Sequence, residues 1–339
     1  MSAGPAPVTP ERIMQLSWGY SAPLMIEAAV RNRIFDVLDG GPKTAEEVAA
    51  LSGASMRGVR IVMNALAALQ LLTKGADGRF GLAPDAAAFL VSGKPAYLGA
   101  LSLRTSTQSI PTWLQLSDVV RTGKPAAGVE EEGVGQEFFA QFVEALFPLN
   151  YRPAMGLADA LNVAAADKPV RVLDLATGSG VWGIALAQKS PQVAVTAVDW
   201  PGVLDITRRT AARFGLADRF SFVGGDLWSI DFGAGYNIAT LGHILHMAGE
   251  SRSRALLRKT FESLAPGGTI AIAEFLVDDA RTGPTMGLIF AVNMLVATEE
   301  GDTYSFNEIA GWLREAGFVN PRTVESSGPS PLILADRPS

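Results

Sequence analysis

The sequence predicts an α/β protein in which a mainly helical N-terminal region precedes a mostly parallel β-sheet with helices on both faces. Apolar residues recur at spacings of three and four through most of residues 11–160, which is typical of helices. From residue 169 onward, short β-branched runs alternate with helical segments, as in successive β-α-β units. The 339 residues are 48% hydrophobic and 18% charged, so cores for about two domains are available.

Composition excludes several kinds of chemistry. The chain has no cysteine, which excludes disulfides, thiolate zinc sites and cysteine nucleophiles, and its two histidines, His243 and His246, are too few for a multi-histidine metal site. A net charge of −6 argues against nucleic-acid binding. The opening MSAGPAPVTPER does not resemble a signal peptide, and no run approaches the roughly 18 apolar residues that span a bilayer. We therefore expect a soluble, cytoplasmic protein that binds neither nucleic acid nor membrane.

The N-terminal elements follow one another closely. The spacing of apolar residues predicts a helix over 24–38, which Gly40-Gly41-Pro42 ends. Thr44 is a candidate N-cap for the second helix and Ser55 for the third. Two short strands are then predicted around the turn Ala76-Asp77-Gly78. Three helices and a β-ribbon are the pattern of a winged helix.

A winged helix can read DNA or serve as a scaffold. Residues 1–100 carry nine Lys/Arg against eight Asp/Glu, and the candidate recognition helix has only Arg57 and Arg60 before it becomes apolar. Phosphate binding needs a concentrated basic face. The scaffold interpretation is therefore favoured, and a DNA-binding regulator stays as an alternative.

The segment after residue 100 continues mostly helical as far as about residue 165. Within it, the glycine-rich stretch 123–136 predicts an exposed loop. From residue 169 the predicted strands have the sequences VRVLDLA, VAVTAVD, FSFVGGD, YNIATLG and TIAIAEFLV. A helix is predicted at about 251–264 and another at 306–316, and the tail segments PRTVESS and SPLILADR are close enough to form a hairpin.

A glycine loop follows the first of these strands. Gly178, Gly180 and Gly183 fit the pattern G-x-G-x-x-G at a strand-to-helix turn, where backbone N–H groups can approach a ligand closely. Asp199 ends the next strand, 21 residues after Gly178, where a carboxylate can accept hydrogen bonds from ribose hydroxyls. A dinucleotide such as NAD fits both facts, so the motif alone leaves the cofactor open.

Two further carboxylates discriminate between the cofactors. Asp174 stands just before the loop, where it would disfavour a pyrophosphate but suit the ammonium group of a methionine moiety. Asp226 ends the third strand, where it can accept a hydrogen bond from an adenine amino group while Leu227 and Trp228 pack against the ring. Three such carboxylates suit a cationic sulfonium nucleoside, so S-adenosylmethionine is favoured over NAD and a dehydrogenase becomes a minor alternative.

The sequence resembles the class I O-methyltransferases that carry an N-terminal winged-helix dimerisation domain, the type that acts on plant phenolics and bacterial natural products. VLDLATGSG is similar to their first cofactor motif, AVDWP, with Trp200, to the ribose-binding strand end, and GGDLW to the adenine-side motif. The resemblance implies a Rossmann-like domain with a mostly parallel seven-stranded sheet, S-adenosylmethionine converted to S-adenosylhomocysteine, no metal, and a homodimer. The implied domains are 11–100 for dimerisation, 101–165 as a helical active-site cover, and 166–339 for cofactor binding.

The resemblance also implies catalytic residues. His246, in the stretch Leu245-His246-Met247-Ala248, takes the position of the family's general base, and Glu274 matches an acid that flanks it. A second flanking acid aligns with Thr303, which leaves the two-acid arrangement incomplete. If His246 is not the base, then His243, a carboxylate or alignment of the reactants alone must serve instead.

The acceptor is expected to be a small aromatic or polyketide-like molecule of secondary metabolism. The helix at 286–297 is apolar all round, which predicts burial between the sheet and the partner domain. Candidate acceptor contacts are Asn293 and Met294 on this helix, with Phe142 and Leu146 from an earlier one. The alternatives are a C- or N-methyltransferase or another enzyme that binds S-adenosylmethionine, and a regulator that binds DNA or senses S-adenosylmethionine.

Overall fold

The computed structural model describes residues 8–126, 132–328 and 330–339, without the side chains of 132–138, 140 and 141. The chain forms two compact units, Met1–Pro111 and Thr112–Ser339. The N-terminal segment MSAGPAPVTPER lies partly outside the described residues, since these begin at residue 8. Within the described ranges, no helix is long and apolar enough to cross a membrane.

The first unit is mainly helical, with one two-stranded ribbon. Its elements, in chain order, are α1 (Glu11–Ser17), α2 (Ser21–Arg31), α3 (Ile34–Asp39), α4 (Ala45–Ser52), α5 (Met56–Ala68), β1 (Leu72–Lys74), β2 (Phe80–Leu82), α6 (Pro84–Phe89), α7 (Gly99–Ser102) and a π-helical turn (Thr105–Ser109), with α8 (Ile110–Trp113) at its end. β1 and β2 pair antiparallel around the predicted turn.

The two N-caps predicted from the sequence are confirmed. Thr44 caps α4 in a complete capping box with Glu47, and the Ser55 hydroxyl accepts the N–H of Gly58 in the first turn of α5 at 3.2 Å. The predicted helix over 24–38 is instead two helices, because Arg33 adopts a left-handed conformation with φ of 55°. A residue in that conformation cannot continue a right-handed helix.

The second unit opens with helices and continues as an α/β sheet. Its further elements are α9 (Leu116–Thr122), α10 (Glu132–Ala160), β3 (Val170–Leu175), α11 (Val181–Lys189), β4 (Val193–Asp199), α12 (Pro201–Arg213), β5 (Phe220–Gly224), β6 (Tyr236–Gly242), α13 (Leu245–Ser263), β7 (Leu264–Ala273), β8 (Leu276–Val277), α14 (Thr285–Ala297), β9 (Tyr304–Ser305), α15 (Phe306–Ala316), β10 (Val319–Val324) and β11 (Leu332–Asp336).

Two predictions need correction at helix starts. α10 begins at Glu132, inside the loop predicted over 123–136, and residues 127–131 of that loop lie outside the described residues. Glycine weakens a helix but does not forbid it. α13 begins at Leu245 rather than near residue 251, because a short first turn is joined to it across a kink at Gly249.

Seven strands form one sheet in the order β10-β11-β7-β6-β3-β4-β5. The five strands from β3 to β7 pair parallel to one another, and the tail hairpin of β10 and β11 adds antiparallel to β7. This confirms the predicted mostly parallel seven-stranded sheet. β3 is central and pairs with both β4 and β6, so the strand order reverses there, which is where open α/β sheets bind ligands.

Helices cover both faces of this sheet, so its central strands are apolar on both sides. Along β3, Val172 packs into a core with α10 and α11, whereas Leu173 and Leu175 point into a second core with α13 and α15. This explains why its buried part, from Val172 to Leu175, is apolar except for one acid, Asp174.

Candidate active site

A cavity opens in the second unit at the carboxyl ends of β3, β4 and β6. It encloses about 1010 Å³ of empty space, including its open mouth. The residues that line it include Phe139, Val143, Leu146, Asn150, Thr177, Gly178, Ser179, Trp182, Asp199, Trp200, Gly225, Leu227, Trp228, Gly242, His243, Ile244, Met247 and Arg252. The cavity lies where the strand order reverses, so the sheet topology alone makes it a candidate ligand site.

The glycine loop forms one side of the cavity. Gly178 and Gly180 adopt left-handed backbone conformations, with φ of 56° and 80°. A Cβ atom on Gly180 would lie 2.8 Å from the Thr207 methyl group, and Thr207 Oγ1 donates a 2.8 Å hydrogen bond to the carbonyl of Gly178. α12 therefore holds the loop against the start of α11, and at position 180 only glycine fits both the conformation and the space.

Asp199 stands opposite the loop at the end of β4. Its Oδ2 accepts the N–H of Gly178 at 2.9 Å, and its Oδ1 accepts the N–H of Trp200 at 2.8 Å. Burial raises the pKa of Asp199 to about 6, and the carboxylate of Asp174 adds to this, while the two N–H donors oppose it. Asp199 and Trp200 both line the cavity, and their contact with a ribose stays a prediction.

Asp174 lies beneath the loop rather than in the cavity wall. Its Oδ2 accepts hydrogen bonds from the Thr177 hydroxyl at 2.6 Å and from the Gly183 N–H at 3.2 Å, and its Oδ1 accepts one from the Thr240 hydroxyl at 2.6 Å. Burial raises the pKa of Asp174 to about 6 despite these donors. The contacts that the structure shows therefore hold the loop on the sheet, and its expected contact with an ammonium group stays a prediction.

The far side of the cavity follows β5. Leu227 is buried in the wall, and Trp228 beside it stacks under the Arg252 guanidinium, which lies 3.8 Å from the ring centroid. The Trp228 indole N–H is buried without a hydrogen-bond partner among the described residues. Asp226 receives the Trp228 backbone N–H at 3.3 Å and is half-buried next to the wall, so its contact with an adenine amino group also stays a prediction.

His246 and Glu274 form a buried pair because of the register between β6 and β7. Gly242 pairs with Ala273, so the residues that follow each strand come together. His246 Nδ1 lies 2.7 Å from Glu274 Oε2, and Oε1 of the same carboxylate accepts the N–H groups of Leu245 and His246 at 2.7 and 3.3 Å. His246 is 6% exposed and Glu274 2%.

The ionisation of Glu274 decides how the proton sits on His246. Burial alone would raise the pKa of Glu274, but the attraction of His246, its hydrogen bond and the N–H of Leu245 outweigh burial, so the pKa lies below its usual value. An ionised carboxylate only accepts hydrogen bonds, so Nδ1 of His246 is the donor. In the neutral ring, Nε2 then carries the free lone pair.

Aromatic rings from two elements surround this pair. Phe290 of α14 meets the His246 ring edge-on, with centroids 4.9 Å apart, and Phe275 packs against Phe290 at 4.2 Å. Thr303, which aligns with the second acid, is buried and donates from its hydroxyl to the carbonyl of Gly287 at 3.3 Å. That hydroxyl is engaged with α14 rather than with the His246 ring.

The expected acceptor contacts are only partly brought together. Leu146 is in the cavity wall, whereas Phe142 packs against Phe139 with ring centroids 6.5 Å apart. Asn293 Oδ1 accepts the indole N–H of Trp113 at 3.0 Å, and Met294 is 5% exposed. The role of all four in acceptor binding stays a prediction.

Several other residues of the cavity wall were not predicted as site residues from the sequence. Trp182 occupies a variable position of the glycine motif, and Asn150 lies on α10 between two helix prolines. Met247 and Arg252 come from α13 and its kinked first turn. His243 lines the cavity as well, and the available signal was its position immediately after the strand β6.

The cavity fits a nucleoside with a sulfonium group better than a dinucleotide. A carboxylate at the end of β4, a loop that only glycine can form and an orphaned indole N–H suit vicinal hydroxyls and a planar base. The only basic side chain in the described wall, Arg252, is stacked on Trp228. A dianionic pyrophosphate would therefore meet few cations here, whereas a cationic sulfur is well accommodated.

Comparison with known proteins identifies the family. Residues 113–319 match the family model described as the O-methyltransferase domain, and residues 14–92 match the O-methyltransferase dimerisation domain. The chain is 31% identical to 3-hydroxy-5-methyl-1-naphthoate 3-O-methyltransferase of Streptomyces sahachiroi, over 96% of this chain and 94% of that protein. It is 28% identical to the tetracenomycin polyketide synthesis 8-O-methyl transferase of Streptomyces glaucescens, over 97% of each chain.

A solved structure agrees with the sequence relatives. A Nostoc punctiforme protein provisionally described as an O-methyltransferase superposes with a TM-score of 0.88 and 27% identity, over 98% of this chain and 100% of that one. The helical first unit and the seven-stranded sheet thus agree with both family matches. The chain belongs to the O-methyltransferase family, whose members take the methyl group from S-adenosylmethionine.

Proposed function

We propose that this enzyme methylates a phenolic hydroxyl of a small aromatic, polyketide-like acceptor, with His246 as the general base. The observation that carries the proposal is the buried contact of 2.7 Å between His246 Nδ1 and the ionised Glu274. This contact leaves a lone pair on Nε2, which is what a base needs. C- or N-methylation would use the same donor, so the product must be identified directly.

The cofactor residues are proposed from the cavity wall. Asp199 would hold the ribose hydroxyls, the loop at Gly178 and Gly180 would approach the methionine part, and Leu227 with Trp228 would pack the base. Asp174 would act through the loop that it holds. When bound, S-adenosylmethionine supplies a methyl group already activated on a cationic sulfur, so the protein has mainly to align the acceptor and remove its proton.

The proton is handled by two side chains of the protein. Nε2 of His246 takes the hydroxyl proton as the oxygen attacks, and the Glu274 carboxylate stabilises the positive charge that forms on the ring. Glu274 can do this because Oε1 is fixed by two backbone N–H groups, so the carboxylate does not turn away. Thr303 offers no second carboxylate, and one acid is sufficient for this role.

The acceptor class is proposed from the relatives and from the surroundings of the base. The two Streptomyces relatives are named for a hydroxynaphthoate and for a polyketide. Phe275 and Phe290 give the surroundings of His246 flat apolar surfaces. Such surfaces favour a planar aromatic acceptor.

A homodimer is proposed from the exposed apolar side chains near the N-terminus. α1 buries none of its residues within the chain, and Ile13, Leu16 and Trp18 are 71%, 70% and 64% exposed. A patch of this kind marks a protein interface, and it overlaps the match to the dimerisation domain. Sedimentation of wild type as a monomer at micromolar concentration would contradict the proposal.

The domain bounds 11–100, 101–165 and 166–339, with the middle segment as a cover of the active site, remain predictions.

The base is tested with His246→Asn. The asparagine amide can still donate to Glu274 from a position near Nδ1, but it has no nitrogen near Nε2. Turnover of a hydroxynaphthoate should fall by about 10²-fold or more, while the affinity for S-adenosylhomocysteine by calorimetry should be unchanged. NMR of the product shows whether the methyl group is on oxygen. Near-wild-type turnover in the variant would leave a mechanism of alignment alone.

A further inference from the structure

The second histidine, His243, has an unusual conformation and position. It is the first residue after β6, with φ of 61°, and its N–H donates to the carbonyl of Ala273 at 2.9 Å. A residue with a Cβ atom in the left-handed region costs about 1 kcal/mol or more, and such strain is concentrated at functional sites. Glycine would remove the strain, so the imidazole itself needs an explanation.

The ring of His243 forms part of the cavity wall and also lies close to the base. Its centroid is 6.2 Å from that of His246 and 5.2 Å from that of Phe275. It therefore stands where the cofactor cavity meets the proposed base. The proposed acceptor oxygen must lie in the same place, because it has to contact Nε2 of His246 and the donor's methyl group at once.

The two nitrogens of this ring have different surroundings. Nδ1 is buried and has no hydrogen-bond partner among the described residues. Burial lowers the pKa of His243 to about 4; the charge of Glu274 opposes this shift, and His246 adds to it. The ring is therefore neutral at physiological pH, with one N–H to place.

The proton is better placed on Nε2. A proton on Nδ1 would be a buried donor with nothing to accept it, and such orphans are rare in folded proteins. Because His243 lines the cavity and its Nδ1 is buried, Nε2 is the nitrogen left to offer an N–H to a ligand there. The two histidines then present opposite groups, because His246 has a free lone pair on Nε2 and His243 has an N–H there.

We propose that His243 donates its Nε2–H to the same acceptor oxygen that His246 deprotonates. The inference rests on the proposed function, because it assumes a hydroxyl acceptor at this place. The hydroxyl proton passes to Nε2 of His246, the oxygen uses its electron pair to form the O–CH₃ bond, and the sulfur of the donor keeps the pair of the broken S–C bond. The His243 N–H stabilises the negative charge that develops on the oxygen.

A neutral donor is well suited to this position. A protonated His243 would repel the cationic sulfur of the cofactor, whereas a neutral N–H stabilises the phenolate without that cost. The titratable groups next to the ring are Glu274 and His246, with Arg252 and Asp199 elsewhere in the cavity wall. Among these neighbours, only His246 is a histidine, and its ring lies 6.2 Å from that of His243 between centroids.

The test measures the ionisation of the bound acceptor. A hydroxynaphthoate that the enzyme methylates is bound to the complex with S-adenosylhomocysteine, and its absorbance is followed with pH. In wild type its pKa should lie below that in His243→Leu by about 1 to 2 units, the effect of one hydrogen bond to a charged oxygen. Turnover of His243→Leu should fall by about 10²-fold.

Two polar variants, His243→Gln and His243→Asn, provide the same test if the leucine variant does not fold. Glutamine places an amide N–H near the position of Nε2 and should restore most of the shift in acceptor pKa, whereas asparagine places it near Nδ1 and should not. Equal acceptor pKa in wild type and in His243→Asn would overturn the inference. If that happens while His246→Asn still abolishes turnover, the proposed function stands and only the role of His243 fails.

A bound metal ion is the rival explanation and has its own control. Ligand atoms of His243, His246 and Glu274 lie within 4.8 Å of one another. The titration of wild type is therefore repeated after dialysis against a chelator. If the lowered acceptor pKa disappears with the chelator and returns with Zn²⁺, the metal ion rather than the N–H is responsible. Persistence of the shift supports the hydrogen bond.

Discussion

Replacing Glu274 with glutamine should disable the base without removing it. The glutamine oxygen can still accept the N–H groups of Leu245 and His246, which Glu274 Oε1 accepts now. Its NH₂ group must then face Nδ1 of His246 in place of Oε2. Nδ1 therefore becomes an acceptor, the proton moves to Nε2, and the lone pair that would take the acceptor's proton is lost.

The size of the effect follows from the charge that is removed. In wild type, the positive ring formed during proton transfer would lie next to the Glu274 carboxylate, with Nδ1 and Oε2 2.7 Å apart. For charge centres about 4 Å apart and an effective dielectric constant of about 20, the attraction is about 4 kcal/mol. At about 1.4 kcal/mol per tenfold change, the rate of methyl transfer should fall roughly 10³-fold.

The assay is a single-turnover measurement with saturating S-adenosylmethionine and a hydroxynaphthoate acceptor. S-adenosylhomocysteine affinity and the thermal unfolding temperature are measured alongside, to show that the cavity and the fold are intact. Glu250→Gln is the matched control, because Glu250 is an exposed glutamate whose ion-pair partner, Arg254, lies on the same helix, α13. It should leave the rate unchanged.

A single-turnover rate of Glu274→Gln within about tenfold of wild type would refute this role of the Glu274 carboxylate. The double variant with His246→Asn adds a second check. If the two residues act as a unit, the double variant should be no slower than the slower single variant. Multiplicative effects would instead show that Glu274 acts independently of His246.

Two further predictions concern the loop and the acid beneath it. Gly180→Ala should weaken S-adenosylhomocysteine binding at least tenfold by calorimetry, because the new Cβ would lie 2.8 Å from Thr207. Gly215→Ala is the control, because Gly215 has a similar φ of 70° but no atom within 4 Å of the Cβ position. This control should bind the ligand normally. For Asp174, the folded pKa of about 6 lies above the ordinary 3.8, so its contribution to stability is full below pH 4 and is lost as the pH rises through 6. The loss is about 3 kcal/mol by pH 8. The free energy of unfolding of the cofactor-free protein, measured by denaturant titration, should therefore fall more steeply with pH in wild type than in Asp174→Asn. Parallel pH profiles for the two proteins would contradict this prediction.

Local patterns predicted much of the fold and part of the site. The change from helical to strand periodicity near residue 169 marks the sheet domain, because each period reflects which faces are buried. The loop at Gly178 and Gly180 and the carboxylate of Asp199 were predicted because their chemistry depends on a strand end and a turn, both visible in the sequence. Capping at Thr44 and Ser55 is similarly local.

Features that depend on contacts between distant residues were not predictable in this way. In the sequence, Asp174 and Asp199 are both acids at strand ends, yet Asp174 is enclosed by Thr177, Gly183 and Thr240, one of them from another strand. Arg33 breaks a helix that its neighbours favour. The place of His243 in the wall depends on a left-handed backbone turn, which no property of histidine predicts.

The loop that follows β6 connects the cavity wall to the proposed base. His243 and Ile244 line the cavity, and His246, two residues later, pairs with Glu274 at the end of the neighbouring strand. The register between Gly242 and Ala273 fixes this geometry, and a Cβ on Gly242 would lie 2.0 Å from Trp182 Nε1. The loop therefore cannot shift toward the glycine loop without displacing that ring. The pairing of β6 with β7, more than any single side-chain contact, therefore sets the position of the proposed base relative to the cavity.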